Sequence, residues 1–273
     1  MTLNKFLLVL LFGALFWSCS NAQHINSMQV NDNVVKNEYP EPAEVGTWSI
    51  AAVDFKTGQI GIAGASCTFN VQGIGEIIPG KGAVIVQGMS SDEARESAIA
   101  LMREEHSLAE IMDEIRNPKY DPENQQYALI LLDSTIQPIA FSGNKLDNTR
   151  GHRIATGLSV QGNVLVSDAV LDDAVLAFQR KDGTLAEKLV KALEAGANAG
   201  GDKRCGEQRA RSAFVTVYNK TDNARWPYFH LVVYGTEKGG VPAVDYLVKE
   251  FHSLFPQSIN RPSTRVYIVP ENK

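Results

Sequence analysis

Basic residues are in deficit in this chain: 26 lysines and arginines against 31 aspartates and glutamates leave a net charge of −5. That balance argues against nucleic acid, whose phosphates demand a basic face, and favours a small soluble ligand. The five histidines, His24, His106, His152, His230 and His252, include no pair at i, i+3 or i, i+4. A metal centre therefore lacks its usual ligand spacing, and neither metal nor cofactor is expected. No Gly-x-Ser-x-Gly elbow occurs, and Ser66 in Ala65-Ser66-Cys67 lacks the flanking glycines of one, which argues against a serine hydrolase of that type. Gly58, Gly61 and Gly64 would suit a dinucleotide cradle only in a strand-to-helix turn. They fall within a hairpin strand instead, where glycine signals close sheet packing. Cysteine is scarce, at three residues.

What is present begins with a targeting pattern. Lys5 precedes an apolar run from Phe6 to Trp17 that is short for a bilayer span, and small residues follow. Ser20-Asn21-Ala22 offers a signal-peptidase site after residue 22, and Phe16-Trp17-Ser18-Cys19 is the competing lipobox, which would acylate Cys19. Either route implies export: periplasmic or secreted in the first case, an outer-membrane lipoprotein in the second, with membrane contact only through the lipid. Cys19 then belongs to the signal or to lipid, leaving Cys67 and Cys205 as an even pair in an oxidising compartment. A disulfide and two buried free thiols both fit, because spacing does not show whether two Cβ atoms meet. Residues 23–46 are polar, rich in Asn and carry Pro40 and Pro42, which reads as a tether or propeptide.

From Thr47 onward, sheet and helix patterns alternate. Residues 49–53 and 59–65 flank a turn at Asp54-Phe55-Lys56-Thr57-Gly58 and predict a hairpin. A strand follows over 83–87. Helices are expected from Ser90 or Ser91 and from Ser107, with Pro118 beyond the second. A second hairpin is predicted over 127–133 and 136–141, then a strand over 154–166, helices over 168–179 and 185–195, strands over 212–218 and 228–234, and a helix over 241–251. With 44% apolar and 21% charged residues, the chain has enough material for one sizeable domain, set at 47–256 with a tail over 257–273. The order of elements implies an α+β domain: antiparallel sheets with helices on their outer faces.

Three segments carry candidate chemistry. If the Gly46–Thr47 bond is cut, Thr47 becomes an N-terminal residue whose free α-amine can take the proton from its own hydroxyl, so nucleophile and base share one residue. Gln161-Gly162-Asn163 interrupts an apolar strand and reads either as a hydrogen-bonding wall for an oxyanion or as a bulge with solvated amides. Gly200-Gly201-Asp202-Lys203-Arg204-Cys205 puts an acid and two bases on a glycine hinge, as a site loop or a salt-bridged turn.

Together with Thr47-Trp48-Ser49-Ile50-Ala51-Ala52-Val53-Asp54, Gly64-Ala65-Ser66-Cys67 and Pro79-Gly80-Lys81-Gly82-Ala83, these segments resemble the DUF1028 proteins over roughly residues 47–251. That family has no known function and is assigned to the N-terminal-nucleophile (Ntn) hydrolase superfamily. The resemblance implies a four-layer αββα sandwich of two antiparallel sheets, with Thr47 at the nucleophile position. It implies self-cleavage after Gly46, similar to that of proteasome β subunits, which use a lysine near the nucleophile; Lys81 is the nearest strand-flanking candidate. It also favours a Cys67–Cys205 bridge. Two readings of function follow. In the first, the protein is an amidohydrolase acting on a small amide or peptide: Thr47 attacks, Asn163 and backbone amides hold the oxyanion, and Ser66, Gln87, Gln161, Asp202 and Arg204 bind substrate. In the second, it is a non-catalytic exported binding or surface protein that keeps the sandwich. A homo-oligomer is compatible with either.

Overall fold

The computed structural model describes residues 46–146, 149–258 and 264–269; the signal segment, Cys19 and the tether up to residue 45 lie outside them. The expected first hairpin is present as β1 (Thr47–Asp54) and β2 (Gln59–Ser66), paired antiparallel with Trp48 opposite Ala65. β3 (Gly75–Ile78), which no sequence signal marked, precedes β4 (Gly82–Gly88). Helix α1 (Asp92–Arg103) is capped by Ser91, and α2 (Leu108–Ile115) by a box in which Ser107 and Glu110 bond reciprocally. The second hairpin is β5 (Gln125–Leu131) with β6 (Ile139–Ser142).

The single strand expected over 154–166 is two strands, β7 (Gly151–Ala155) and β8 (Leu158–Asn163). The chain turns between them at Gly157, whose φ of +67° favours glycine. Helices α3 (Ala169–Arg180) and α4 (Leu185–Asn198) follow, then β9 (Ser212–Tyr218), β10 (Phe229–Val233), α5 (Ala243–Ser258) and β11 (Thr264–Ile268). The presumed C-terminal tail thus contributes a strand. Its partner β10 runs parallel to it, the one departure from antiparallel pairing among the described residues, because α5 carries the chain back across the sheet before β11 begins.

Two sheets result, a seven-stranded one in the order β11-β10-β9-β2-β1-β8-β7 and a four-stranded one in the order β3-β4-β5-β6. Strand pleating sorts β1 to two cores. Trp48, Ile50 and Ala52 join Leu171, Leu189 and Phe251 of α3, α4 and α5, whereas Ala51 and Val53 join Ile85, Ala128 and Ile130 of the smaller sheet. A third core packs Val84, Val86, Tyr127 and Leu129 against α1 and α2. Gly61 lies against Leu189 of α4, which is the close packing expected of the glycines in that strand. Among the described residues no helix is long and apolar enough to cross a membrane.

Candidate active site

Antiparallel pairing places the start of β1 beside the end of β2 and the end of β8, so Ser66 and Asn163 flank Thr47 from opposite sides; Asn163 is its direct register partner. The chain leaving β8 then forms an isolated bridge, Leu165 to Asp202, and Lys203 N–H donates to the Val164 carbonyl at 3.0 Å. That contact carries the Gly200–Arg204 segment to the same strand ends. Gly201 adopts a φ of +57°, and a Cβ there would stand 2.9 Å from the Trp48 ring and from the Arg209 carbonyl oxygen, so no side chain fits.

Three hydroxyl and guanidinium donors converge on one backbone oxygen. The Gly46 carbonyl accepts from Ser66 Oγ at 2.6 Å, Arg204 Nη2 at 2.9 Å and the Thr47 hydroxyl at 2.7 Å. Arg204 is oriented by Asp202, which takes its Nε at 2.9 Å and its Nη2 at 2.5 Å. The Asp202 carboxylate is fully buried and also accepts the backbone N–H groups of Cys67 and Arg204, at 2.9 and 3.1 Å. A buried charge so paired and hydrogen-bonded is tolerated, and it holds the guanidinium in one geometry. Gly46 itself has no room for a side chain: a Cβ would stand 2.7 Å from Val164 Cβ and 2.9 and 3.0 Å from the Asp202 oxygens. A disulfide joins Cys67 to Cys205, with Cα atoms 5.6 Å apart, so the residues directly after Ser66 and Arg204 are covalently tied.

Thr47 is 2% exposed and lines a cleft of about 310 Å³ whose walls include Thr68, Asn70, Gln72, Ser90 and Arg95. Val71 and Ile74 share the lining with these hydroxyls and amides, and Arg95 is paired with Asp92 at 2.6 Å, so the cleft can take a small ligand that presents polar groups beside an apolar part.

The other sequence candidates fall differently. Asn163 does not offer its amide to the Gly46 carbonyl; Nδ2 donates to Gln126 Oε1 at 2.8 Å, and Oδ1 is buried without a partner. Gln87 and Gln161 lie beneath the site, not in the cleft wall. Ser49 Oγ donates to Gln87 Oε1 and accepts from Gln161 Nε2, at 2.5 and 2.6 Å, and Gln87 Nε2 reaches Gln126 at 2.9 Å. Gln126, which sequence reasoning missed, is the hub of this buried amide ladder, and its Nε2 also donates to the carbonyls of Gly151 and Gly162. The signal that could have found it is a Gln125-Gln126 pair opening an otherwise apolar strand. Lys81 is remote from Thr47: its ammonium bonds Glu105 at 3.2 Å and the Arg103 carbonyl at 2.9 Å. Arg204 is the cation that bonds the carbonyl preceding the threonine. Among the described residues no three His, Cys, Asp or Glu side chains converge where a metal ion could sit.

The family model DUF1028, described as a family of unknown function, matches residues 47–240 and so begins at the threonine. Among solved structures, the chain is similar to protein SPO2555 from Silicibacter pomeroyi, itself described as DUF1028. The identity is 23% over 77% of this chain and 86% of that one, with a TM-score of 0.65. It is also similar to Anbu (ancestral beta-subunit) from Yersinia bercovieri, 12% identical over 78% of this chain and 97% of that one, TM-score 0.39. Anbu from Hyphomicrobium sp. strain MC1 gives 9%, 78%, 97% and 0.38. The first likeness is one of fold, and the two to Anbu carry no argument. No curated protein is similar to the chain.

Proposed function

We propose that this chain, which belongs to the DUF1028 family of unknown function, is an exported amidohydrolase that cuts its own Gly46–Thr47 bond and then uses Thr47 as an N-terminal nucleophile on a small polar amide or peptide. The observation that carries the reading is the Gly46 carbonyl, polarised by Ser66 and Arg204 next to the Thr47 hydroxyl. Donors aimed at a carbonyl oxygen stabilise the negative charge that forms there when a nucleophile adds.

In the self-cleavage, Thr47 Oγ1 bonds to the Gly46 carbonyl carbon and closes a five-membered ring, and the oxygen becomes an oxyanion held by Ser66 and Arg204. The hydroxyl proton ends on the Thr47 nitrogen, and the C–N bond breaks. An ester on Oγ1 and a free α-amine remain, and water hydrolyses the ester. Gly46 leaves as a carboxylate. Ser66 Oγ and Arg204 Nη2 then stand open for a substrate carbonyl, with the new amine moving the proton from Oγ1 to the leaving nitrogen. In this reading Ser66 and Arg204 take the oxyanion role first given to Asn163, which shapes the end of β1 through Gln126.

The three cores support the finer fold statement that accompanies this function: helices, large sheet, small sheet, helices, the αββα order of Ntn hydrolases. Export rests on Lys5, the apolar run and the sites at Ala22 or Cys19; full-length protein fractionating with the cytosol would overturn it. The test of the nucleophile is intact mass. Wild-type protein should mature to a chain beginning at Thr47, and Thr47→Ala should keep the residues before it. Wild-type protein that retains those residues on incubation would refute self-cleavage and leave the non-catalytic binding protein in its place.

A further inference from the structure

Edge strand β3 of the small sheet packs on β2 of the large one, and β9, β10 and β11 follow β2 outward in the large sheet. A cavity of about 370 Å³ opens there, between Gly75, Glu76 and Ile77 on one side and the overhanging sheet face on the other. Alternation along the strands directs Thr216, His230, Arg265 and Tyr267 to this face and sends Val215, Leu231 and Val266 to the helix side. The volume is that of a small-molecule site and far exceeds the roughly 30 Å³ of a water.

The polar floor of the cavity is saturated. Tyr234 OH donates to Gln72 Oε1 at 2.6 Å, Gln72 Nε2 to His230 Nε2 at 3.2 Å, and His230 Nδ1–H to Thr216 Oγ1 at 2.7 Å. That chain assigns the tautomer. Burial, and then the Arg265 charge, hold the His230 pKa down to about 4, so the imidazole adds no charge near neutral pH. Glu76 is met by Arg103 at 3.1 Å. Among the described residues, neither Arg225 nor Arg265 has a carboxylate within ion-pair distance. Arg265 lies on the Trp226 ring at 4.2 Å, and its Nε is buried without an acceptor. Phe214, Tyr218, Pro227 and Tyr267 supply the remaining apolar and aromatic wall, with Tyr267 stacked on Tyr234.

We propose that this cavity binds a small organic carboxylate carrying an aromatic ring, its carboxylate on Arg265 and Arg225 and its ring against Tyr218 and Tyr267. An unsatisfied buried guanidinium donor calls for an acceptor, and planar forks suit carboxylates. The apolar wall calls for a ring, which an inorganic anion lacks. Gln72 and Gly73 line both this cavity and the Thr47 cleft, but the proposal does not depend on Thr47 being catalytic.

The test uses the purified full chain with phenylacetate, its neutral analogue phenylacetamide and inorganic phosphate, followed by calorimetry and by tryptophan fluorescence. Phenylacetate should saturate and shift a fluorescence signal that Trp226→Phe removes. Phenylacetamide and phosphate should bind at least about tenfold more weakly, and Arg265→Gln should weaken phenylacetate by a similar factor, as loss of a charge-assisted pair does. If thermal melting shows that Arg265→Gln unfolds, Arg225→Gln in the exposed loop gives the same readout. Phosphate or phenylacetamide binding as tightly as phenylacetate, no saturation by phenylacetate, or unchanged affinity in both arginine variants would overturn the proposal.

Discussion

Ser66→Ala removes one hydroxyl and interrogates the proposed self-cleavage at its centre. In the intact chain the Gly46 oxygen has three donors; in the proposed self-cleavage the Thr47 hydroxyl would be consumed as the nucleophile, leaving Ser66 Oγ, now at 2.6 Å, and Arg204 Nη2, now at 2.9 Å, to hold the oxyanion. Loss of one such donor typically costs about 3 to 4 kcal/mol at the transition state, a slowing of roughly 10² to 10³. The ground state loses less. Ser66 Oγ also accepts from Thr68 N at 3.1 Å and Thr68 Oγ1 at 3.0 Å, and leaving such groups unmet costs about 1 to 3 kcal/mol where water cannot reach them. The fold should survive, since domain stabilities run from about 5 to 15 kcal/mol. The assay is the fraction of chain beginning at Thr47, read by intact mass at intervals after purification of the unprocessed form, with circular dichroism to verify folding. A Ser66→Ala protein that is folded and matures at the wild-type rate would refute the role given to this hydroxyl. Thr47→Ala, inert in the same assay, separates that failure from failure of the nucleophile itself.

Other perturbations test neighbouring parts of the argument. Gly46→Ala should block maturation while leaving the rest of the domain folded, because its Cβ would meet Val164 at 2.7 Å and Asp202 at 2.9 Å and push the carbonyl off its donors; normal maturation by intact mass would contradict this. Replacing both Cys67 and Cys205 by Ala opens a link spanning 138 positions, worth about 5 kcal/mol in the chain-entropy model. Denaturant melts should show a loss of that order, and two free thiols in unreduced wild-type protein would refute the bridge. His230 has its pKa depressed from 6.5 to about 4, so the unfolded chain binds the proton more readily. Its contribution to stability is complete above pH 6.5, declines as pH falls towards 4 and levels off below that. The loss is about 3 kcal/mol at roughly 1.4 kcal/mol per unit. His230→Asn should flatten that part of the stability profile, and an unchanged profile would contradict the assignment.

Local patterns determined much of the architecture. The Asp54–Gly58 turn, the Ser107 cap and the helical spacing of apolar residues act within a few positions of one another, so hairpins and helices were legible in sequence. The Gly46-Thr47 junction and the Asp202–Arg204 pair, two positions apart, were visible as candidates for the same reason, since each lies within one short segment. The strand β11 was not legible, because a five-residue stretch shows its role only when β10 offers an open edge. Nor was the choice among polar candidates. Ser66 and Arg204 stand 138 positions apart, and only the β2-β1-β8 order, together with the Leu165–Asp202 bridge, brings both to one carbonyl. The same packing turned Asn163, Gln87 and Gln161 inward to Gln126 and Ser49. A buried amide must find partners wherever the surrounding sheets supply them, and those partners are fixed by register across strands distant in sequence.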